Sequence, residues 1–375
     1  MKLKQTLVAT MVTMGAMSTA AWADITIGVN LSLTGGGAAL GLPMQSMIKT
    51  FPSSIAGEKV NVIVLDDASD PGKAAQNARR FVSQDKVDVI FGGNLTPTTM
   101  AIGPIATEAK TVQISGAPGK DGEFVFILPQ GFSVMAHAMM QHIKAKGVKT
   151  LGFIGYSDGY GEGWLKAMEP MLKEANIKLV GVERFARTDT SVTPQALKLV
   201  AANPDAVLVV ASGSIAPMPE IALRDRGYKG LTYQTHGAAS PDLMRIGGKA
   251  VEGTFVVSGP AIFADKLPAG HPSRPVSMDF AKKFKEATGS DKLSPFAGHS
   301  YDFMVVMEKA VPIALKKAKP GTEAFRLALL DALNTMGRTV ISHGVMNWSA
   351  SDHWGYTNET GVMVVVKNGA FEVLN

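Results

Sequence analysis

The sequence predicts an α/β protein built of two parallel-sheet units. Three observations carry that reading. Short apolar runs rich in β-branched residues alternate with helical stretches from residue 25 to residue 258. The alternation stops at Pro129-Gln130-Gly131 and then restarts with the same grammar. At 375 residues the chain is long for one core and comfortable for two. Hydrophobic residues make up 46% and charged residues 18%, the balance of a globular protein and not of a disordered one.

The beginning of the chain reads as an export signal. Met1-Lys2-Leu3-Lys4 is a basic start, residues 7–17 form an apolar run, and Ala21-Trp22-Ala23 is a small-x-small site, so cleavage is expected after Ala23. The apolar run is too short to span a bilayer. With no cysteine anywhere, neither a lipoprotein anchor nor a disulfide framework is expected. Loss of Lys2 and Lys4 leaves 35 basic residues against 32 acidic ones. No run of Lys or Arg clusters with aromatics, which speaks against a nucleic-acid partner.

The first unit opens with a strand at 25–31, a glycine-rich turn at 32–37 and a short helix at 42–51. A strand at 60–65 closes on Asp66-Asp67, and Asp70 and Pro71 cap and start a helix at 72–84. Next comes a buried strand at 87–91, broken by Gly92-Gly93-Asn94. Thr96 stands in the N-cap position and Pro97 in the first helical position of a helix running to about 109. A strand at 111–114, a small-residue loop at 115–119 and a strand at 124–128 complete the unit. In a parallel sheet both loops emerge at the carboxyl ends of neighbouring strands, where such sheets bind ligands. The free N–H groups behind Thr96, with its hydroxyl, would attract a carboxylate or phosphate. The plainer alternative is an ordinary βαβ crossover.

The second unit runs helix 133–146, strand 150–156, helix 164–175, strand 178–183, helix 194–202, strand 206–211, helix 219–226, strand 231–235 and strand 251–258. Helices at 275–288, 295–317 and 322–336 follow, then a hairpin of 361–367 and 370–374 turned by Asn368-Gly369. The pattern suggests two lobes, 24–130 with 260–342 and 131–259 with 343–375, crossing at 129–131, 258–261 and near 342–347.

Enzyme chemistry finds little support. There is no G-x-S-x-G, no H-E-x-x-H and no P-loop. The seven histidines are scattered and lack cysteine partners, so no metal site is expected. Gly159-Tyr160-Gly161-Glu162-Gly163 follows a strand, but Trp164 stands where a dinucleotide fingerprint needs its third glycine. No cofactor is expected. Asp66-Asp67 reads as a turn-and-cap pair, and His299 as a structural histidine.

Several ordered motifs look familiar. Gly28…Leu33-Thr34-Gly35, Asp66-Asp67-x-x-Asp70-Pro71 and Gly92-Gly93…Thr96-x-x-Thr99 come in turn. Asp158-Gly159-Tyr160-Gly161, Val251-Glu252-Gly253 and Tyr301-Asp302 follow them. The set resembles the leucine/isoleucine/valine-binding family of type I periplasmic binding proteins across essentially all of the mature chain. The resemblance implies two Rossmann-like lobes, a three-stranded hinge, a ligand cleft between them, and delivery of a small solute from the periplasm to an inner-membrane ABC permease. It places the ligand carboxylate at Thr96 and at Ala117, Pro118 and Gly119, an aromatic cover at Tyr160, and a further contact region at Ser212 and Ser214. A cleft tyrosine of the family is matched by Leu40, and the acidic residue for an α-ammonium by His236.

His236 cannot neutralise an ammonium group, and its N–H suits an oxygen instead. Leu40 offers only an apolar wall. The expected ligand is therefore a small carboxylate lacking an α-ammonium, an aromatic or aryl-keto acid, bound by a monomer. Branched-chain amino acids are the alternative, with Asp158 or Glu162 replacing the missing carboxylate. A soluble sensor subunit presenting the same fold to a membrane receptor is a further alternative.

Overall fold

A computed structural model describes residues 24–374; the signal segment and its expected cleavage point lie outside the described residues. The first unit holds β1 (Ile25–Leu31), α1 (Ala38–Ile48), β2 (Ser54–Ile55), β3 (Glu58–Asp66), α2 (Pro71–Arg80), β4 (Val89–Gly92), α3 (Thr96–Glu108), β5 (Val112–Ser115) and β6 (Val125–Ile127). These strands form one sheet in the order β2-β3-β1-β4-β5-β6, parallel except for the short edge strand β2. Asp70 caps α2 as expected, its Oδ1 accepting the Lys73 amide at 2.6 Å.

The second unit holds α4 (Phe132–Ala145), β7 (Thr150–Tyr156), α5 (Gly159–Glu174), β8 (Lys178–Phe185), α6 (Thr193–Ala202), β9 (Ala206–Val210), α7 (Pro217–Asp225), β10 (Leu231–Gln234), α8 (Pro241–Gly247) and β11 (Phe255–Ser258). Beyond them lie α9 (Arg274–Thr288), α10 (Pro295–Ala314), α11 (Glu323–Thr335), the small hairpin β12 (Thr339–Ile341) and β13 (Gly344–Met346), and the pair β14 (Val362–Lys367) and β15 (Ala370–Val373). The second sheet runs β15-β14-β11-β10-β9-β7-β8, its parallel body flanked by the antiparallel pair β14 and β15. Asn368 and Gly369 turn that hairpin at φ of 54° and 71°, the left-handed pair such a turn needs.

Each sheet has its own core. One joins β1, β4 and β5 to the inner faces of α10 and α11; the other lies between the second sheet and its helices. Met346 and Trp348 still pack in the first core, and Val364 and Val366 in the second. We therefore place the last crossing beyond Trp348, later than the 342–347 expected, because the unforeseen β12–β13 hairpin keeps the chain on the first lobe.

Both strand orders reverse direction once, between β1 and β4 in the first sheet and between β7 and β9 in the second. At such switch points the outgoing loops diverge and leave a crevice at the carboxyl ends of the strands. The two crevices face each other.

Candidate functional site

A cavity lined from both sides lies between the facing crevices. Its first wall begins with the loop after β4. Here Leu95, not Thr96, is the N-cap of α3, which puts Thr96 first and Pro97 second in the helix; the Thr98 hydroxyl closes this turn, accepting the Leu95 amide at 3.3 Å and donating to the Leu95 carbonyl at 3.0 Å. The capping role expected of Thr96 is thus corrected. Its hydroxyl is left buried, at the cavity, with no partner. Asn94 beside it is fixed from behind, its Oδ1 accepting the Ser32 amide at 2.6 Å. Ser32 and Asn30 in turn both donate to the buried Asp67 carboxylate at 2.6 Å. Burial pushes the Asp67 carboxyl up, against the hydrogen bonds from Ser32, the Ser69 amide and Asn30. Asp66 and Asp67 hold the loop and do not line the cavity.

The loop after β5 is tied to the first by the Gly116 amide, which donates to the Gly93 carbonyl at 3.1 Å. Ala117 and Pro118 line the cavity. Gly119 does not. It packs outward on Thr99, whose methyl would lie 2.6 Å from a Cβ placed there. Leu40 on the first turn of α1, Leu95, and Pro129 in the first crossing add apolar surface. Phe296 and His299, one turn apart at the start of α10, complete this wall.

The second wall begins with Tyr160, expected in a loop but found on the first turn of α5. Asp158 is the reason: its Oδ1 accepts the Tyr160 amide at 2.8 Å and starts the helix earlier. The low helix propensity of the glycines is overridden by packing, since a Cβ on Gly161 would fall 1.8 Å from the Tyr156 carbonyl oxygen. The Tyr160 hydroxyl is already engaged, 2.9 Å from Thr235 Oγ1 and accepting the Gly237 amide at 3.2 Å. Burial raises its pKa to about 12. What Tyr160 offers the cavity is its ring.

Ser212 lines the cavity, but Ser214 does not. Gly213 has a φ of +59°, and its Cα is crowded by Leu40 from the opposite lobe, 2.5 Å from a would-be Cβ. This turn sends Ser214 to an outer surface groove with Ser191 and Met218.

Arg187, just past the carboxyl end of β8, is the residue sequence reasoning missed. Its Nε donates to Asp158 Oδ2 at 2.6 Å, its Nη1 donates to Ser212 Oγ at 3.2 Å, and its guanidinium lies 3.9 Å from the Tyr156 ring centroid. A guanidinium has five N–H donors, so three remain for a ligand. A lone Arg after a parallel strand was the available signal, obscured because that strand was expected to stop at 183.

His236 lines the second wall and retains some exposure, but both ring nitrogens are buried and unpartnered. Burial, with a further push from His343, lowers its pKa to about 3. His299 is held neutral by the same causes, burial first. His299 also stacks on His343 with centroids 4.0 Å apart, and His343 Nδ1 lies 2.7 Å from Asp302 Oδ2. His299, Asp302 and His343 bring possible metal-ligand atoms within 4.8 Å of one another. The imidazole planes are close to parallel, at 21°, and Asp302 also accepts the Ser342 and His343 amides. Ring lone pairs lie in the ring planes, so stacked rings do not converge on one ion. The trio serves as a buried hydrogen-bonding and stacking network behind the cavity.

A cavity between the carboxyl ends of two doubly wound sheets defines the class, a two-lobed α/β binding protein. Residues 24–370 match the family described as "Periplasmic binding protein", and the chain belongs to it, in its leucine/isoleucine/valine-binding branch. Leu/Ile/Val-binding protein homolog 3 of Brucella melitensis is 27% identical over 275 residues, spanning 67% of this chain and 71% of its own. An extracellular ligand-binding receptor from Rhodopseudomonas palustris, of known structure, is 44% identical with a TM-score of 0.92, over 94% of this chain and 99% of that one. A solute-binding protein of an ABC transporter from R. palustris, solved in complex with benzoate, shares the fold at 17% identity and a TM-score of 0.78, over 94% of this chain and 96% of that one. The family consists of solute-binding proteins that work with ABC permeases.

Proposed function

We propose that the chain binds a small carboxylate lacking an α-ammonium, an aromatic or aryl-keto acid by preference, and hands it from the periplasm to an inner-membrane ABC permease. The observation that carries this reading is the charge of the cavity wall. Arg187 lines it, and among the described residues no Asp or Glu does. The two carboxylates that could have replaced the missing one are occupied: Asp158 caps α5 and pairs with Arg187, and Glu162 pairs with Arg184 at 2.5 Å. Burying an ammonium with no counter-charge is expensive. A carboxylate instead meets the free donors of Arg187 and the unpartnered Thr96 hydroxyl. Leu40, Leu95, Pro118 and Phe296 supply apolar faces on which a ring can pack. The benzoate complex of a protein sharing the fold is in keeping with this.

Because the cation and the hydroxyl come from opposite lobes, both engage one ligand only when the lobes are closed. We place the closing bodies at 24–130 with 260–348 and at 131–259 with 361–374. One chain supplies both walls, so a monomer suffices. A branched-chain amino acid is the second reading, supported by the relatives' Leu/Ile/Val-binding names. Leucine, phenylalanine, phenylpyruvate, benzoate and benzoylformate, titrated calorimetrically with small-angle scattering of the same mixtures, separate the two. Tighter binding of the acids without an ammonium, with a smaller radius of gyration when bound, is expected. Leucine binding more tightly than every acid would overturn the ligand reading, and an unchanged radius the closure.

A further inference from the structure

The two ends of the cavity differ in chemistry. At one end Thr96 lies against Gly159, its methyl 3.2 Å from the position of a Gly159 Cβ, and the adjoining Asp158 holds Arg187. This end reaches solvent, the Arg187 and Asp158 side chains being 22% exposed each. At the other end His299 is buried against His343, and His343 sits among the inter-lobe crossings. Gln130 Nε2 donates to the His343 carbonyl at 2.8 Å, and the His343 ring lies 3.3 Å from a would-be Cβ on Gly259. His236 lines the same cavity as His299.

Four histidine nitrogens at this end, both of His236, Nδ1 of His299 and Nε2 of His343, are buried without a hydrogen-bond partner, and the first three belong to rings that line the cavity. Native structures rarely leave such groups unpaired, because the desolvation cost is then uncompensated. Each neutral imidazole carries one donor and one acceptor nitrogen. A hydroxyl is the complement, since it can donate to the acceptor of one ring and accept from the N–H of the other. A second carboxylate or an ammonium would bring a charge that two neutral imidazoles cannot balance, and a bare ring or alkyl chain would leave the nitrogens unpaired. The stacking of His299 on His343, itself anchored by Asp302, fixes the plane in which His299 can hydrogen-bond.

We propose that His236 and His299 form a neutral hydrogen-bonding pole selecting aryl carboxylates that bear a hydroxyl at the ring end remote from the carboxylate. The inference rests on the carboxylate reading above, with Arg187 and Thr96 at the opposite pole.

Matched pairs test it: benzoate with 4-hydroxybenzoate, phenylpyruvate with 4-hydroxyphenylpyruvate, and cinnamate with 4-hydroxycinnamate, titrated into the full-length mature protein. In at least one pair the hydroxylated acid should bind about 10- to 100-fold more tightly. His236→Phe and His299→Phe should each bring that ratio toward one, with His236→Gln restoring part of it. Histidine 15N spectra of the unaltered protein should move on adding the hydroxylated acid and much less with its partner, a readout that needs no variant to fold. A ratio of one or below in every pair, or a ratio that survives both substitutions, overturns the pole and leaves the carboxylate reading standing. If no acid of any pair binds, both fall.

Discussion

The two walls of the cleft are finished to different degrees. On the first, nearly every polar group is consumed locally: Asn94 by Ser32, the Gly116 amide by Gly93, and the Ser115 hydroxyl by the Ala117 carbonyl. Among the side chains described on this wall, the Thr96 hydroxyl and His299 Nδ1 are left over. The second wall keeps more in reserve, with three unused donors on Arg187 and two unpartnered nitrogens on His236. The first wall is thus a shaped, mainly apolar seat that exists before any ligand arrives. The second carries the charge. Selection by shape and selection by charge are divided between the lobes, and a ligand meets both demands only when they come together.

Removing the cation should break this division most severely. Arg187→Met deletes the charged donors and leaves Asp158 facing an incoming anion, so binding of an aryl carboxylate should weaken by about 3 kcal/mol or more. Calorimetry measures it, with circular dichroism to confirm the fold. Unchanged affinity would move the anion seat to the first wall alone. Thr96→Val, nearly isosteric, removes the one free hydroxyl of the first wall and should cost about 2 kcal/mol of binding. If affinity holds while the fold is intact, Thr96 has no part in the site.

The same contrast governs what could be read from the sequence. Thr96, Ala117, Pro118, Tyr160, Ser212 and His236 all follow apolar strands, and in a parallel sheet that position alone carries them to the cavity rim. Leu40 was legible only through family resemblance. Gly119 and Ser214 failed because loop direction depends on one backbone angle or one neighbour, as at Gly213, which local pattern does not report. The N-cap assignment failed because the helix starts one residue earlier, with the apolar Leu95 as its N-cap and the Thr98 hydroxyl bonding back to the Leu95 backbone, which the pattern of capping residue types does not report. Phe296 and His299 come from a helix expected to return to the first lobe, but its sequence pattern does not tell which residues of its first turn meet the cleft. The fold class was legible from strand–helix alternation, and the last hairpin from Asn368-Gly369, because period and turn chemistry are local properties; the β12–β13 hairpin was not, because its strands are only three residues each.

The walls should also answer to pH. His236 titrates only near pH 3 in the folded state, and the His299 pKa is lowered as well. Unfolded, both take protons below about pH 6.5. The unfolded chain therefore binds more protons through that window, and stability falls as the pH drops from about 6.5 toward 3. His236 should contribute about 1.4 kcal/mol of lost stability between pH 8 and pH 5.5, and His299 a loss of the same sign. Urea titrations of the ligand-free protein across this range measure the slope. His236→Asn and His299→Asn, one from each wall, should each make the slope shallower, and a slope unaltered by either would mean the loss lies elsewhere.

The smallest effect expected is the one that separates ring from hydroxyl on the second wall. Family resemblance casts Tyr160 as the ligand's aromatic cover, and the ring does line the cavity. Its hydroxyl, however, is bound within its own lobe to Thr235 and to the Gly237 amide, joining α5 to the segment that carries His236. Tyr160→Phe keeps the cover and orphans that amide, so it should lower stability by about 1 kcal/mol and change ligand affinity by less than about threefold. Tyr160→Ala removes the cover itself and should weaken binding well beyond that. Urea denaturation and calorimetry on the same two variants give both quantities. If Tyr160→Phe lost tenfold in affinity with stability untouched, the hydroxyl would be a ligand group, and the second wall would hold more of its polarity in reserve than its internal hydrogen bonds indicate.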